Sequence, residues 1–291
     1  MTDAPAEPST ESEADAEAVA RPVAIFDSGL GGLTVMREVA LALPHEDLVY
    51  FGDTARVPYG IKSPKTIVLF ADECCRFLCR QEPKLIVVAC NTASAAALPH
   101  LRERLDVPVI GVVEPGARAA VAATRNRRVG IIGTEATIKS RAYPQTIRAL
   151  DPSIALVDRA CPLFVPLVEE GRGCDDPVVR LVAKGYLRPL REFGADTLVL
   201  GCTHYPLLKP ALRRAMGAAV TVVDSAEETA RATAKRLEGM GLRRTEAASP
   251  AYRYFVTDNP VRFASVGSRI MRHIIDHVEL VDPDAIGGRP S

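Results

Sequence analysis

The chain lacks several features that would define other classes of protein. Its 291 residues include no tryptophan, and 36 basic side chains balance 36 acidic ones, so the net charge at pH 7 is zero. No overall positive field therefore favours nucleic acid or an anionic membrane surface as a partner. No stretch approaches the roughly 20 consecutive apolar residues of a membrane-spanning helix. These absences favour a small-molecule partner.

The first 21 residues differ in composition from the rest of the chain. They hold six acidic side chains against one arginine, with Pro, Ser, Thr and Ala between them. Such a segment offers little apolar surface to bury, so we expect residues 1–21 to form a disordered acidic tail. A secretory signal needs a basic start and an apolar run, and this segment has neither. We therefore expect a cytoplasmic protein.

Seven cysteines are an odd number for a disulfide framework. In a cytoplasmic protein, reduced thiols are the better interpretation. Cys74, Cys75 and Cys79 lie close together, but no second group of ligands is near them in sequence, so we expect core packing rather than a metal site. No Cys-x-x-Cys motif occurs, which disfavours a thiol redox protein. The thiols are thus available for other chemistry.

Short apolar runs alternate with longer amphipathic segments, the pattern of βα units around a mostly parallel sheet. Four predicted strands in the first half recur in the same order in the second half, about 110 residues later. They span 22–26, 47–51, 84–89 and 107–113, then 128–133, 153–158, 196–201 and 220–224. The repeat predicts an α/β protein with two pseudo-symmetric domains, each a mostly parallel sheet flanked by helices.

The repeat also predicts where the domains divide. We expect a first domain over 22–115, a second over 116–224, and a C-terminal segment over 225–291 that returns to the first domain. That segment contains a predicted strand at 252–258 and a predicted helix at 261–275, neither with a counterpart in the repeat. Ligand sites in such sheets lie beyond the carboxyl ends of the strands. We therefore expect the active site at the domain interface.

A cysteine follows the third predicted strand of each half, Cys90 in the first and Cys202 in the second. Inverting an amino-acid α-carbon needs a base on one face and an acid on the other, which a thiolate and a thiol could supply. A helix N-terminus or a neighbouring cation lowers a thiol pKa, and we expect both cysteines to open a helix. A single cysteine after a buried strand would more often be a core residue. Two at equivalent positions favour a catalytic pair.

Other polar side chains follow predicted strands in the first half. Asp27 and Ser28 lead into a glycine-rich turn that lacks the spacing of a dinucleotide-binding motif. A carboxylate at Asp27 could orient an ammonium group or a thiol. Asp53 ends the second strand, and the Tyr59 hydroxyl and neighbouring backbone amides could line a pocket or simply form a turn.

The second half offers two further candidates. Glu169 lies in an apolar segment and could be an acid or base, although a solvated helix end is nearly as good an interpretation. His204 lies two residues after Cys202 and could hold a proton beside that thiol. Arg125, Arg127 and Arg128 form a small basic cluster that is most simply a solvated loop.

Five blocks of the sequence together resemble the glutamate racemases of the aspartate/glutamate racemase superfamily. They are IFDSGLGGLTV, YFGDTARVPYG, ACNTASA, ACPLFVPLVEEG and GCTHYPLL. The resemblance extends from about Pro22 to the C-terminus. It implies two pseudo-symmetric α/β domains with the active site between them, no pyridoxal phosphate and no metal. It also implies a role in supplying D-glutamate for peptidoglycan, and hence in cell-wall biogenesis and cell shape.

The resemblance also assigns roles to residues. It implies that Cys90 is the base for D-glutamate and Cys202 the base for L-glutamate, with Asp27 and His204 as their respective helpers. Asp53 and Glu169 match auxiliary positions. The implied substrate-binding residues are Asp27, Ser28, Tyr59, Gly60, Asn91, Thr92, Thr203 and His204. The expected partner is L- or D-glutamate, with neither nucleic acid nor membrane, and a homodimer is left open.

Two alternatives remain open from sequence. The thiol pair defines the chemistry but not the side-chain length of the substrate, so an enzyme of the same superfamily acting on aspartate or hydantoins is one alternative. The GCTHYP and VPYG blocks favour glutamate. The other is a protein-binding regulator, because some glutamate racemases are associated with inhibition of DNA gyrase.

Overall fold

The computed structural model describes residues 10–247 and 249–286. These residues form two parallel sheets flanked by helices, which confirms the predicted α/β fold. The strands of the first sheet are β1 (Val23–Asp27), β2 (Leu48–Gly52), β3 (Leu85–Val88) and β4 (Val109–Gly111). The strands of the second sheet are β5 (Arg128–Gly133), β6 (Ala155–Ala160), β7 (Thr197–Gly201) and β8 (Thr221–Asp224). Two later strands, β9 (Tyr252–Val256) and β10 (Glu279–Leu280), complete the first sheet.

The helices cover both faces of each sheet. Their bounds are α1 (Thr10–Ala20), α2 (Leu33–Ala42), α3 (Pro64–Cys79), α4 (Asn91–Arg104), α5 (Val113–Ala123), α6 (Glu135–Lys139), α7 (Ala142–Leu150), α8 (Phe164–Glu169), α9 (Pro177–Glu192), α10 (Lys209–Met216), α11 (Ser225–Gly239), α12 (Pro260–Met271) and α13 (Pro283–Ile286). Three short 3₁₀ helices lie at Thr54–Arg56, Tyr59–Ile61 and Tyr205–Leu208.

The strands β1, β2, β3 and β7 are buried along their whole length because helices cover both faces of the sheets. On β1, Val23 and Ile25 join the core on one face, whereas Ala24 and Phe26 join the core on the other. This period-two alternation places successive side chains on opposite faces. The second sheet has two cores of its own, one on each face.

The two sheets share one strand order. The first runs β10-β9-β2-β1-β3-β4 and the second β6-β5-β7-β8, so β2-β1-β3-β4 and β6-β5-β7-β8 are equivalent sets. In each set the chain leaves the first strand toward one edge and later crosses to the other edge. A crevice opens at this switch point beyond the carboxyl ends of the two central strands. Two such crevices, one at β1/β3 and one at β5/β7, form the framework of the site.

Two sequence predictions need correction. The segment 107–113 is a strand only over Val109–Gly111, because Val113 already begins α5. The described part of the N-terminal segment is helical over Thr10–Ala20 rather than disordered, and residues 1–9 lie outside the described residues. Ala and Glu dominate this stretch, and both are strong helix formers.

The end of α1 is attached to the base of the first sheet. The buried Lys84 ammonium donates to the backbone oxygens of Val19 and Leu242, at 2.6 and 2.8 Å. It also pairs with the buried Glu46 carboxylate at 2.5 Å. A buried charge is tolerated when paired and hydrogen-bonded, as Lys84 is. Among the described helices, none is long and apolar enough to cross a membrane.

Candidate active site

One cavity lies where the two crevices meet. Ser28, Cys90, Thr134 and Cys202, which follow β1, β3, β5 and β7, all line it. The remaining lining residues are Val57, Pro58, Tyr59, Gly60, Asn91, Thr92, Val165, Glu169, Thr203 and His204. The equivalent strand ends of the two halves therefore contribute to a single site.

Cys90 lies in a mixed environment in the first half. It caps the N-terminus of α4, as predicted, and its sulfur contacts the Ser28 hydroxyl at 3.4 Å. Burial, together with the nearby Asp27 carboxylate, raises the pKa of the Cys90 thiol to about 12, against the opposing effect of the Ser28 hydrogen bond. At neutral pH this sulfur is therefore a protonated thiol.

Cys202 lies beside a histidine that carries a proton. The His204 Nδ1 is 3.8 Å from the Cys202 sulfur, and its Nε2 is 3.1 Å from the Glu169 carboxylate. Burial opposes the charged imidazolium, but the hydrogen bonds to Cys202 and Glu169 outweigh it and raise the pKa of His204 to about 10. The hydrogen bond from His204 in turn lowers the pKa of Glu169. The second half thus places a histidine and then a carboxylate in a row beside its cysteine.

The prediction that both cysteines open a helix is wrong for Cys202. Residues after Cys202 form the short 3₁₀ helix Tyr205–Leu208, and α10 begins only at Lys209. An α-helical turn would need the N–H of residue 206 to donate to the Cys202 carbonyl, and Pro206 has no N–H. The Tyr205 N–H donates to that carbonyl instead, at 3.2 Å. The positive group beside Cys202 is therefore the His204 imidazolium, and no α-helix begins directly after this cysteine.

Two predicted residues lie behind the cavity wall rather than in it. Asp27 is fully buried and accepts a hydrogen bond from the Gly29 N–H at 2.9 Å. Burial raises its pKa above the usual value, while the charge of His204 opposes that rise. Asp53 is also fully buried, and its carboxylate contacts the Tyr59 hydroxyl and the Arg56 guanidinium. These carboxylates can act on the cavity only through neighbouring groups.

Three threonine hydroxyls meet across the two halves. Thr92 at the start of α4 contacts Thr134, the residue before α6, at 2.9 Å and Thr137, within α6, at 3.2 Å. Thr134 also contacts Thr137 at 2.9 Å. Sequence reasoning missed Thr134, although its position after β5 matches that of Ser28 after β1. Comparing the repeat at the first strand, as at the third, would have found it.

The cavity is rich in hydrogen-bond donors. Ser28, Thr92, Thr134 and Thr203, which carry hydroxyls, line it together with Asn91, whereas the hydroxyl of the lining residue Tyr59 donates to Asp53. Such groups suit carboxylates. Within 10–247 and 249–286, no group of three or more His, Cys, Asp and Glu side chains is placed to hold a metal ion. The arrangement offers two sulfurs for proton transfer and several donors for an anionic substrate.

Comparison with known proteins agrees with this arrangement. The family model for Asp/Glu/hydantoin racemases matches residues 31–233. The glutamate racemase of Geobacter metallireducens is 55% identical over 251 residues, which cover 86% of this chain and 93% of that protein.

Solved structures give the same result. The glutamate racemase of Francisella tularensis in complex with D-glutamate superposes with a TM-score of 0.86 at 39% identity, covering 92% of this chain and 99% of that one. The Escherichia coli glutamate racemase, in complex with L-glutamate and the activator UDP-MurNAc-Ala, gives 0.74 at 33% identity, covering 90% and 98%.

The fold and the paired strand-end thiols define a racemase of the aspartate, glutamate and hydantoin group, a class of isomerases. Relatives at this level of identity cover most of the chain. The chain belongs to the glutamate racemase family.

Proposed function

We propose that the chain interconverts L- and D-glutamate by proton transfer between two cysteines, without a cofactor. The observation that carries this proposal is the placement of Cys90 and Cys202. They follow equivalent strands of the two halves, and both line one cavity. The choice of glutamate is supported by relatives in the same family, one of them solved with D-glutamate and another with L-glutamate.

The proposed reaction uses each sulfur once per turnover. With L-glutamate, the Cys202 thiolate removes the α-proton from one face and becomes a thiol. The Cys90 thiol then delivers its own proton to the opposite face of the carbanionic centre and becomes a thiolate. D-glutamate reacts by the reverse sequence with the form that this turnover leaves, in which Cys90 is the thiolate and Cys202 is the thiol. Exchange of protons with solvent returns the free enzyme to its resting state.

The cavity donors would hold the substrate during this transfer. Removing the α-proton sends negative charge into the adjacent carboxylate, and hydrogen bonds that strengthen with that charge stabilise the transition state. The Asn91 amide and the hydroxyls of Ser28, Thr92, Thr134 and Thr203 supply such bonds. Asp53 would act by positioning Tyr59, and Asp27 by its charge near Cys90. Glu169 would hold His204 charged beside Cys202.

Before the substrate binds, the two sulfurs would therefore have different electrostatic surroundings. An imidazolium beside a sulfur stabilises the thiolate form. Because His204 keeps its proton until the pH rises through about 10, this stabilisation persists at neutral pH and is lost above that value. Cys90, with its pKa raised to about 12, stays protonated over the same range. These unequal neighbours support the proposed roles with L-glutamate, in which Cys202 is the base and Cys90 is the acid.

This difference predicts selective alkylation. With substoichiometric iodoacetamide at pH 7.5, we expect Cys202 to be modified at least about tenfold faster than Cys90, because the thiolate is the nucleophile. Peptide mass spectrometry after quenching measures both sites. The unfolded protein is the control, since both cysteines should then react alike. Faster labelling of Cys90 in the folded enzyme would overturn the proposed resting state.

The proposed cellular role follows from the product. D-glutamate formed in the cytoplasm would be a precursor for peptidoglycan and hence for maintenance of the cell wall and cell shape. The family resemblance of the sequence supports this role.

Circular dichroism of the substrate tests the proposed activity. We expect pure L-glutamate and pure D-glutamate both to lose their optical signal completely in the absence of added cofactor. L-Aspartate should react at least about tenfold more slowly, because a pocket discriminates one methylene by roughly 10- to 200-fold. Treatment with a chelator or with hydroxylamine should leave the rate unchanged.

Two outcomes would contradict the proposal in different ways. Faster racemisation of aspartate would overturn the choice of substrate and leave the two-thiol chemistry intact. Loss of glutamate racemisation after both treatments would indicate a metal or an aldehyde cofactor and would overturn the chemistry itself.

A further inference from the structure

Asn91 makes an unusual contact at the cavity. Its side chain lines the cavity and is almost completely buried. The Oδ1 atom accepts a hydrogen bond from the Tyr143 hydroxyl at 2.7 Å. The Nδ2 atom of the same amide is buried without a hydrogen-bond partner. The Oδ1 atom of this amide is thus held by the protein, and the Nδ2 atom is free to donate a hydrogen bond to a ligand.

Tyr143 comes from the opposite half of the molecule. It lies on α7, beside the second sheet, whereas Asn91 begins α4 beside the first. The tyrosine ring is fully buried, and two glycines leave room for it. A Cβ at Gly201 would lie 3.2 Å from the ring, and a Cβ at Gly116 would lie 3.2 Å from the hydroxyl. Gly201 directly precedes Cys202, so the ring packs against the strand end that carries that thiol.

The first half makes the reciprocal contact. The Thr34 hydroxyl on α2 donates to the backbone oxygen of Thr203 at 3.0 Å. Asn91 and Thr203 each follow one of the two cysteines. In both halves, a helix between the first and second strands thus contacts the residue after the cysteine of the other half. The Tyr143 hydroxyl thus makes one of the hydrogen bonds that join the two halves at the site.

The polarity of the Asn91 amide decides what it can bind. A carboxylate accepts hydrogen bonds and offers none, so only the Nδ2 end of the amide can bind it. With Nδ2 toward a carboxylate, the Oδ1 end needs a donor, because a buried acceptor without one costs free energy. The Tyr143 hydroxyl is that donor.

We propose that Tyr143 is a positioning residue for the substrate, holding the Asn91 amide so that Nδ2 binds a glutamate carboxylate. This inference rests on the proposed glutamate racemase function. In this proposal, Tyr143 of the second half orients Asn91, a substrate-binding residue of the first half.

The test replaces Tyr143 by phenylalanine, which removes the hydroxyl and keeps the ring. We expect the KM for both enantiomers to rise about 5- to 20-fold while kcat changes less than about threefold, because the lost bond serves binding. The equilibrium constant between enantiomers is unity, so kcat/KM must fall equally in both directions. Tyr254→Phe is the matched control. Tyr254 lies on β9 of the first sheet, is largely buried, and its hydroxyl contacts His273. The KM of this variant should stay at the wild-type value.

A second background separates positioning from a merely structural role. In Asn91→Ala, adding Tyr143→Phe should have little further effect on KM, because the group that Tyr143 orients is gone. An equal KM increase with and without Asn91 would overturn the inference. So would a wild-type KM in Tyr143→Phe.

A binding measurement distinguishes failure of this inference from failure of the proposed function. D-glutamate should raise the thermal midpoint of the wild-type protein, and Tyr143→Phe should need 5- to 20-fold more ligand for the same rise. A wild type that neither binds nor racemises glutamate would contradict the proposed function. A wild type that does both, beside a Tyr143→Phe variant with unchanged binding, would contradict only the role of Tyr143.

Discussion

Replacing either Cys90 or Cys202 by alanine is expected to lower kcat for glutamate racemisation by at least about 10³-fold in both directions, because each turnover needs a proton acceptor and a proton donor. Neither change should unfold the protein, since each removes one sulfur from a cavity wall. Circular dichroism of the substrate measures the activity, and thermal unfolding of the variant measures the fold.

Cys79→Ala is the matched control for these variants. Cys79 lies at the end of α3 outside the cavity, so this variant should keep wild-type activity. More than a few per cent of wild-type activity in Cys90→Ala or Cys202→Ala would be incompatible with the two-base mechanism. Loss of activity in Cys79→Ala as well would indicate that removing any of these cysteines damages the protein, and would remove the support for a catalytic pair.

Isotope incorporation in heavy water should separate the roles of the two sulfurs. Protons on the two sulfurs exchange with solvent before the substrate binds, so the Cys90 thiol carries deuterium. Starting from L-glutamate, Cys202 removes protium from one face and Cys90 delivers deuterium to the other. D-glutamate formed in early turnovers should therefore be almost fully labelled at the α-carbon. The remaining L-glutamate should stay largely unlabelled as long as the Cys202 proton exchanges slowly in the closed site.

Mass spectrometry of the separated enantiomers at low conversion provides this measurement. Starting from D-glutamate, the same reasoning predicts labelled L-glutamate and largely unlabelled D-glutamate, which makes the reverse reaction an internal control. A single base would return some of the original proton to the opposite face. Substantial protium in the product enantiomer would therefore refute the assignment of one sulfur to each face.

The scaffold is pseudo-symmetric, but the chemistry around the two sulfurs is not. Burial and the nearby Asp27 charge favour the protonated form of Cys90, against the opposing effect of the Ser28 hydrogen bond. Cys202 has the charged His204, held by Glu169. Racemisation needs different protonation states on the two sides at the moment when the substrate binds. In the proposed mechanism, the unequal neighbours of the equivalent cysteines would provide that difference.

The Arg262 guanidinium connects the C-terminal segment to Glu169 of the second half. It donates to the backbone oxygen of Glu169 at 3.4 Å, and its charge helps to lower the pKa of the Glu169 carboxylate. Arg262 lies on α12, which packs on α2 beside the first sheet. The C-terminal segment thus contributes to the charges around His204, although nothing in its sequence had suggested a role at the site.

The sequence by itself determined the strands, their repeat and the two thiols. The apolar runs and their spacing are local properties, and chain order in a parallel α/β fold sets which loops lie at the carboxyl ends of the strands. The predicted strand 128–133 therefore coincides with β5, and Cys90 and Cys202 line one cavity. Helix formation after a cysteine was less predictable, because Pro206 changed the local hydrogen bonding after Cys202.

Only the tertiary structure decided which groups of one half meet those of the other. Tyr143 reaches Asn91, Thr134 reaches Thr92 and Arg262 reaches Glu169 across 52, 42 and 93 residues of sequence. These contacts depend on how the two sheets dock, which no pattern along the chain encodes. Folding also buries Asp27 and Asp53 behind the cavity wall, and it places Cys202 and Glu169 beside His204, which set the charge of that side chain. Desolvation and neighbouring charges shift a pKa, and both are known only once the chain is folded.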